Sequence, residues 1–161
     1  MAIEIERKFL VVGEGWRDAV ASADRFVDGL IAAEGSNKVR VRRYDARAVL
    51  TLKGPKHGIS RDEFEYDIPL ADADELLARR SIGPLIRKTR HMVPNGPDLW
   101  SVDVFEAELA GLVVAEIELD HEDRFFERPS WVGAEITHDR RYGSAALLRA
   151  ALDPATAFWR P

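Results

Sequence analysis

Met1-Ala-Ile-Glu-Ile-Glu-Arg-Lys-Phe-Leu10 opens the chain and sets Glu4, Glu6 and Lys8 two residues apart, with Ile3 and Ile5 on the alternate positions. Successive side chains of a β-strand leave on opposite faces, so this spacing gathers the charges on one face and the isoleucines on the other. The same spacing recurs at Arg40 and Arg42, Thr51 and Lys53, Glu63 and Glu65, Lys88 and Arg90, and Glu116 and Glu118. The residues between are mostly apolar: Val41, Leu52, Phe64 and Ile117. Several strands that each carry a charged face are suited to line one polar cavity for a highly charged ligand.

The composition bounds this reading. At 161 residues the chain is expected to form one domain with a real core. A hydrophobic content of 46% and a charged content of 32% describe a soluble globular protein rather than a disordered one. The net charge of −5 argues against a general nucleic-acid binder, which is normally basic, but is compatible with a small anionic ligand held by a local cluster. With no cysteine there are no disulfides and no thiolate metal sites. Glu4 and Glu6 interrupt any early apolar run, so no signal peptide is expected, and no segment approaches the ~20 apolar residues of a membrane-crossing helix. The expectation is a cytoplasmic protein without membrane or nucleic-acid partners, its oligomeric state open.

Period-two alternation predicts strands near 2–11, 38–45, 47–54, 61–68, 84–93, 99–106 and 112–119. Tyr44-Asp-Ala-Arg47 reads as a tight hairpin connection, Asn95-Gly96 as a second turn, and Gly54-Pro-Lys-His-Gly58 as a flexible loop. Helical patterns cover 14–22 around Trp16 and Val20, then Leu70–Arg80 after Pro69. A third covers Ser144–Leu152, with Ser144 as N-cap and Pro154 as a stop. The acids early and arginines late in Leu70–Arg80 suit the helix dipole. Antiparallel strands with a few helices give an α+β barrel.

Any half-exposed antiparallel sheet alternates polar and apolar residues, with the polar side in water. Here, however, the polar faces are nearly all formal charges, and their sign is largely uniform within each strand. Like charges on one strand face repel, so a surface shaped only by stability would mix them. Shared occupancy of one site explains the pattern. Arg40, Arg42, Lys53, Lys88 and Arg90 offer forks and ammonium groups for phosphate oxygens. Glu4, Glu6, Glu116 and Glu118 offer hard oxygen ligands for Mg2+ or Mn2+. A chain of phosphates with bound divalent cations needs both sets. Lys8 shares its face with two carboxylates and either orients or deprotonates an attacking water, or simply binds phosphate; the residues alone leave both open.

In this order the motifs resemble the CYTH family, the triphosphate tunnel metalloenzymes. The specific signature is Glu4-Ile-Glu6-Arg-Lys8, followed by Val39-Arg-Val-Arg42, Thr51-Leu-Lys53, Glu63-Phe-Glu65, Lys88-Thr-Arg90, Val102-Asp-Val-Phe105 and Glu116-Ile-Glu118. The resemblance implies a single domain over 1–161, folded as a closed eight-stranded antiparallel tunnel with flanking helices. It also implies divalent-metal-dependent chemistry on triphosphates. By the same resemblance Glu4, Glu6, Glu116 and Glu118 hold metal with Asp103 as a further ligand, and Arg40, Arg42, Lys53, Lys88 and Arg90 bind the triphosphate, with Arg61 a weaker candidate. Glu63 and Glu65 match a family acidic pair that either touches metal or fixes basic side chains. Leu52-Lys-Gly-Pro55 and Gly111-Leu-Val-Val-Ala-Glu-Ile-Glu118 resemble the compact bacterial members that hydrolyse inorganic tripolyphosphate. Rivals are a class IV adenylate cyclase, a thiamine triphosphatase and a non-catalytic triphosphate or polyphosphate-binding module. One departure stands out: those members carry a tyrosine in a Gly-Tyr-Leu segment, where this chain has Asp28-Gly-Leu-Ile31.

The histidines (57, 91, 121, 138) lack metal-ligand spacing, and Trp100, Trp131 and Trp159 read as packing residues. Asp139-Arg-Arg-Tyr142 is a candidate either to close a tunnel mouth or to cap a helix.

Overall fold

The computed structural model describes residues 3–157 and 159. Among these residues nine antiparallel strands form one sheet: β1 (Ile3–Val11), β2 (Ser22–Glu34), β3 (Asn37–Tyr44), β4 (Ala48–Lys53), β5 (Ser60–Ile68), β6 (Ile86–Asn95), β7 (Asp98–Phe105), β8 (Val113–Glu118) and β9 (Val132–Glu135). Their order is β5-β4-β3-β2-β6-β7-β8-β1-β9, and β5 pairs again with β1. That last pairing closes β1 to β8 into an eight-stranded barrel, leaving the short β9 at the edge of the sheet. β1 shares one side between two partners: Ile3–Ile5 pair with β5, and Phe9 and Val11 pair with β9. The ninth strand thus lies outside the barrel closure.

The apolar face of the alternation points outward and is covered over much of its extent, while Ile3, Leu52 and Phe64 stay exposed. Phe9, Trp100, Phe126 and Trp131 meet edge to face with centroids 5.6 to 6.1 Å apart, and Trp16 packs against the His91 ring at 5.0 Å. On the opposite side, helix α1 (Leu70–Arg80) lays Ala73 and Leu77 over Val41 and Ala48. Gly29 permits that approach, since a Cβ there would lie 2.5 Å from Leu77 Cδ2 and 2.6 Å from Ser81 Oγ. Helix α2 (Ser144–Leu152) packs Ala150 and Ala151 with Phe105, Leu109 and Val114. With the apolar residues packed under α1, α2 and the aromatic cluster, the charged faces of the strands are left to the barrel interior.

Three expectations need correction. Residues 14–22 contain only a 3-10 turn at Arg17–Ala19, and the chain is extended again by Ser22. The predicted strands omitted β2 and β9. β2 buries residues on both faces and shifts register between Leu30 and Ala32, so its pattern has no clean period of two. The α2 N-cap is Gly143 rather than Ser144, which is the first helical residue. Both turns stand as expected: Tyr44 N–H donates to Arg47 C=O at 2.9 Å, and Gly96 takes φ +59°. The first strand was expected from residue 2, which lies outside the described residues.

Candidate active site

The barrel encloses a cavity of about 460 Å³, within the range of small-ligand sites. Glu4, Glu6 and Lys8 from β1, Arg40 and Arg42 from β3, Lys53 from β4, Arg61, Glu63 and Glu65 from β5, Lys88 and Arg90 from β6, and Glu116 and Glu118 from β8 all line it. Asp103 is fully buried behind Lys88 and Arg90. Tyr142, Ser144, Leu147 and Leu148 close in on the end where β6 begins and β7 ends, beside Ile86 and Phe105. Asp139 also caps the Arg140–Tyr142 turn and pairs with Arg141 at 2.6 Å.

Ladder register sets the electrostatics. Glu6 stands directly across from Glu118, and Lys8 from Glu116. The first pairing is repulsive, so the strands hold like charges together at a stability cost. Lys8 Nζ lies 2.5 Å from Glu116 Oε1 and 3.2 Å from Glu6 Oε2. Burial opposes the ammonium charge, but Glu116 and Glu6 outweigh it and hold the Lys8 pKa above its ordinary value. Arg61 donates to Glu4 and, at 3.1 Å, to Glu6; Lys53 reaches Glu63 at 2.5 Å and Glu4 at 3.2 Å. Arg90 forks onto Asp103 at 2.7 and 2.8 Å and reaches Glu116 at 2.6 Å, while Lys88 also donates to Asp103.

Several candidate residues therefore have partners that the sequence did not show. Both Asp103 oxygens accept from cations, and Glu63 accepts from Lys53 while Glu65 accepts from Thr51 Oγ1 at 3.1 Å. In this arrangement Asp103 and Glu63 fix basic side chains, while Glu65 engages a threonine hydroxyl. Arg42 donates from Nε and Nη2 to Asp28 at 2.8 and 3.0 Å and stacks 4.0 Å from the Phe26 ring centroid. Burial would raise the Asp28 carboxyl, but Arg42 and Arg40 outweigh it and hold it well below the usual carboxylate range. Neither Asp28 nor Lys38, also on the cavity wall, was among the sequence candidates. For Lys38 the signal was available, since it lies two before Arg40 in the same alternation; β2 carries no such period, and Asp28 had none.

The donor set suits a hard divalent cation. The Glu118 carboxylate accepts no hydrogen bond from a described residue; partial desolvation, then Glu4, Glu116 and Glu6, push it above the usual range. A cation beside these acids would relieve that repulsion. As the side chains stand, no group of three carboxylates among the described residues is gathered to hold an ion, since Lys8, Lys53, Arg61 and Arg90 engage Glu4, Glu6 and Glu116. Among those residues no helix is long and apolar enough to cross a membrane.

The chain matches the CYTH domain over residues 2–148. It is 40% identical to the inorganic triphosphatase of Acetivibrio thermocellus over 149 residues, covering 92% of this chain and 95% of that one. The inorganic triphosphatase of Nitrosomonas europaea is 35% identical over 150 residues, covering 89% and 95%. The crystal structure of the inorganic triphosphatase NE1496 superposes with a TM-score of 0.61 at 31% identity, over 92% of this chain and 95% of that one. The PH1012 protein of Pyrococcus horikoshii shares the fold, with a TM-score of 0.60 at 18% identity over 74% of this chain and 81% of that one.

Proposed function

The chain belongs to the CYTH family, and on that premise we propose that it hydrolyses inorganic tripolyphosphate to pyrophosphate and phosphate with Mg2+ or Mn2+. The observation that carries the reading is a cavity inside the barrel whose wall combines basic forks with carboxylates from β1, β5 and β8. Members of this family depend on a divalent metal. When bound, the metal supplies charge neutralisation and a polarised oxygen at the reacting phosphoryl group.

The residues of the chain do the rest. Glu4, Glu6, Glu116 and Glu118 are the carboxylates we assign to the metal; Asp103 sits deeper, where it aims Lys88 and Arg90 at the cavity. Lys53, Arg61, Lys88 and Arg90, with Arg40, present donors along the path of the phosphate chain, and Arg42 contributes charge from the wall. Charge-assisted bonds of this kind hold the reacting phosphorus in line with the incoming water. The proton on Lys8 is retained while Glu116 and Glu6 are ionised around it, so Lys8 acts first as an orienting cation rather than as a base. Leu30 lines the same cavity and offers no hydroxyl to assist it.

Product analysis separates this reading from its rivals. Incubation with tripolyphosphate, ATP and thiamine triphosphate should give the highest kcat/KM for tripolyphosphate, with no cyclic AMP from ATP. Cyclic AMP with pyrophosphate as the dominant products would assign a cyclase, and preference for thiamine triphosphate would assign that hydrolase. Tight binding of tripolyphosphate without turnover would leave a binding module.

A further inference from the structure

Six basic side chains of the tunnel, Lys8, Arg42, Lys53, Arg61, Lys88 and Arg90, each already hold a carboxylate at hydrogen-bond distance. Lys38 differs. It lines the same cavity, alternates with Arg40 on β3, and its ammonium makes no hydrogen bond or ion pair with a described residue. Directly across the β3–β4 ladder from it stands Lys53. Like charges in that position destabilise a sheet unless something anionic offsets them. Arg40 is similarly under-used. Its Nε is buried without a partner among the described residues, and its nearest carboxylates, Asp28 and Glu63, lie 3.8 and 4.0 Å away. A buried donor left unmade costs more than a made one returns, so this stretch of wall is poised for an anion.

Arg42, the other arginine of the same strand motif, is not equivalent. Asp28 takes its Nε and Nη2, Tyr44 Oη lies 3.4 Å from its Nη1, and Phe26 stacks on its plane. Its fork is spent on the wall.

We propose that Lys38 is a substrate-binding residue that, with Arg40, supplies the uncommitted donors receiving a phosphoryl group of a linear oligophosphate, while Asp28 keeps Arg42 as a structural cation. The inference rests on the proposed function for the class of ligand and goes beyond it in naming the residue. It agrees with the local field: burial, then Arg61, Lys53, Arg40 and Lys8, push the Lys38 ammonium below its ordinary pKa, a crowding that an entering polyanion relieves.

The test compares the wild type with Lys38→Gln and Lys38→Arg by calorimetric binding of tripolyphosphate, by KM and kcat with Mg2+, and by thermal melting. Lys38→Gln is expected to weaken tripolyphosphate binding roughly ten- to a hundredfold, as loss of a charge-assisted bond does, and to raise KM correspondingly while kcat changes by no more than a few-fold. Lys38→Arg should restore most of the affinity. The melting temperature of Lys38→Gln should equal or exceed that of the wild type, because the repulsion with Lys53 is gone. Wild-type affinity in Lys38→Gln overturns the assignment, as does a weakened variant that also melts early and is not rescued by arginine. Wild-type binding without turnover refutes the hydrolase reading alone and leaves Lys38 to the binding result. If the wild type neither binds nor hydrolyses tripolyphosphate, both fall.

Discussion

Asp28 faces Arg42 across the β2–β3 ladder, and the two side chains are almost wholly buried. Removing one partner of such a pair leaves an uncompensated charge, so Asp28→Asn is expected to lower unfolding free energy by about 3 kcal/mol at pH 7. The pH dependence follows from the direction of the shift. The folded carboxyl is held below its unfolded value, so its contribution is complete above the unfolded carboxylate pKa of about 4 and is lost as pH falls further. The gap between wild type and variant in urea unfolding should therefore narrow progressively below pH 4. A constant gap from pH 7 to pH 3 would contradict the pairing. At this scale the sequence disclosed the charges but not their partners. The spacing of Arg40 and Arg42 made them look alike, whereas only the neighbouring strand distinguishes a committed fork from a free one.

The elements were legible where one face is charged and the other apolar, as in β1, β3 and β8. The alternation failed in β2, where Phe26, Asp28 and Leu30 face the cavity or its wall while Gly29 and Ile31 lie under α1. A strand buried on both sides carries no period, and Gly29 reads locally as a turn residue although its role is close approach. Substituting Gly29→Ala forces a methyl against Leu77, Ser81 and Leu85 at once. The expected cost is about 1–3 kcal/mol, read as a lower midpoint in chemical denaturation, with the outward shift of α1 exposing apolar surface. An unchanged midpoint would mean that α1 is not seated on β2 as described. β9 was missed for a different reason: Val132–Glu135 is four residues long, too short for any pattern to register.

For the molecule as a whole, the closed barrel turns an ordinary amphipathic alternation inside out: the dry faces are outside, under α1 and the aromatic cluster, and the charges are inside. Such an interior is costly without its ligand, so tripolyphosphate with Mg2+ should stabilise the protein by mass action. At a hundredfold excess over Kd the gain is about 2.7 kcal/mol, or a rise in Tm of roughly 5–10 °C, checked by scanning fluorimetry. The family resemblance anticipated the closure, and the alternation of charges on the strands anticipated the bipolar cavity. The central claim is metal-dependent cleavage within that cavity, and phosphate release from tripolyphosphate measures it directly. The wild type should release phosphate with Mg2+ or Mn2+, EDTA should abolish the release, and Glu116→Gln should cut kcat/KM by at least about tenfold, the effect of losing roughly 1.4 kcal/mol of transition-state stabilisation. Release that is unaffected by EDTA, or undiminished in Glu116→Gln, would contradict the account.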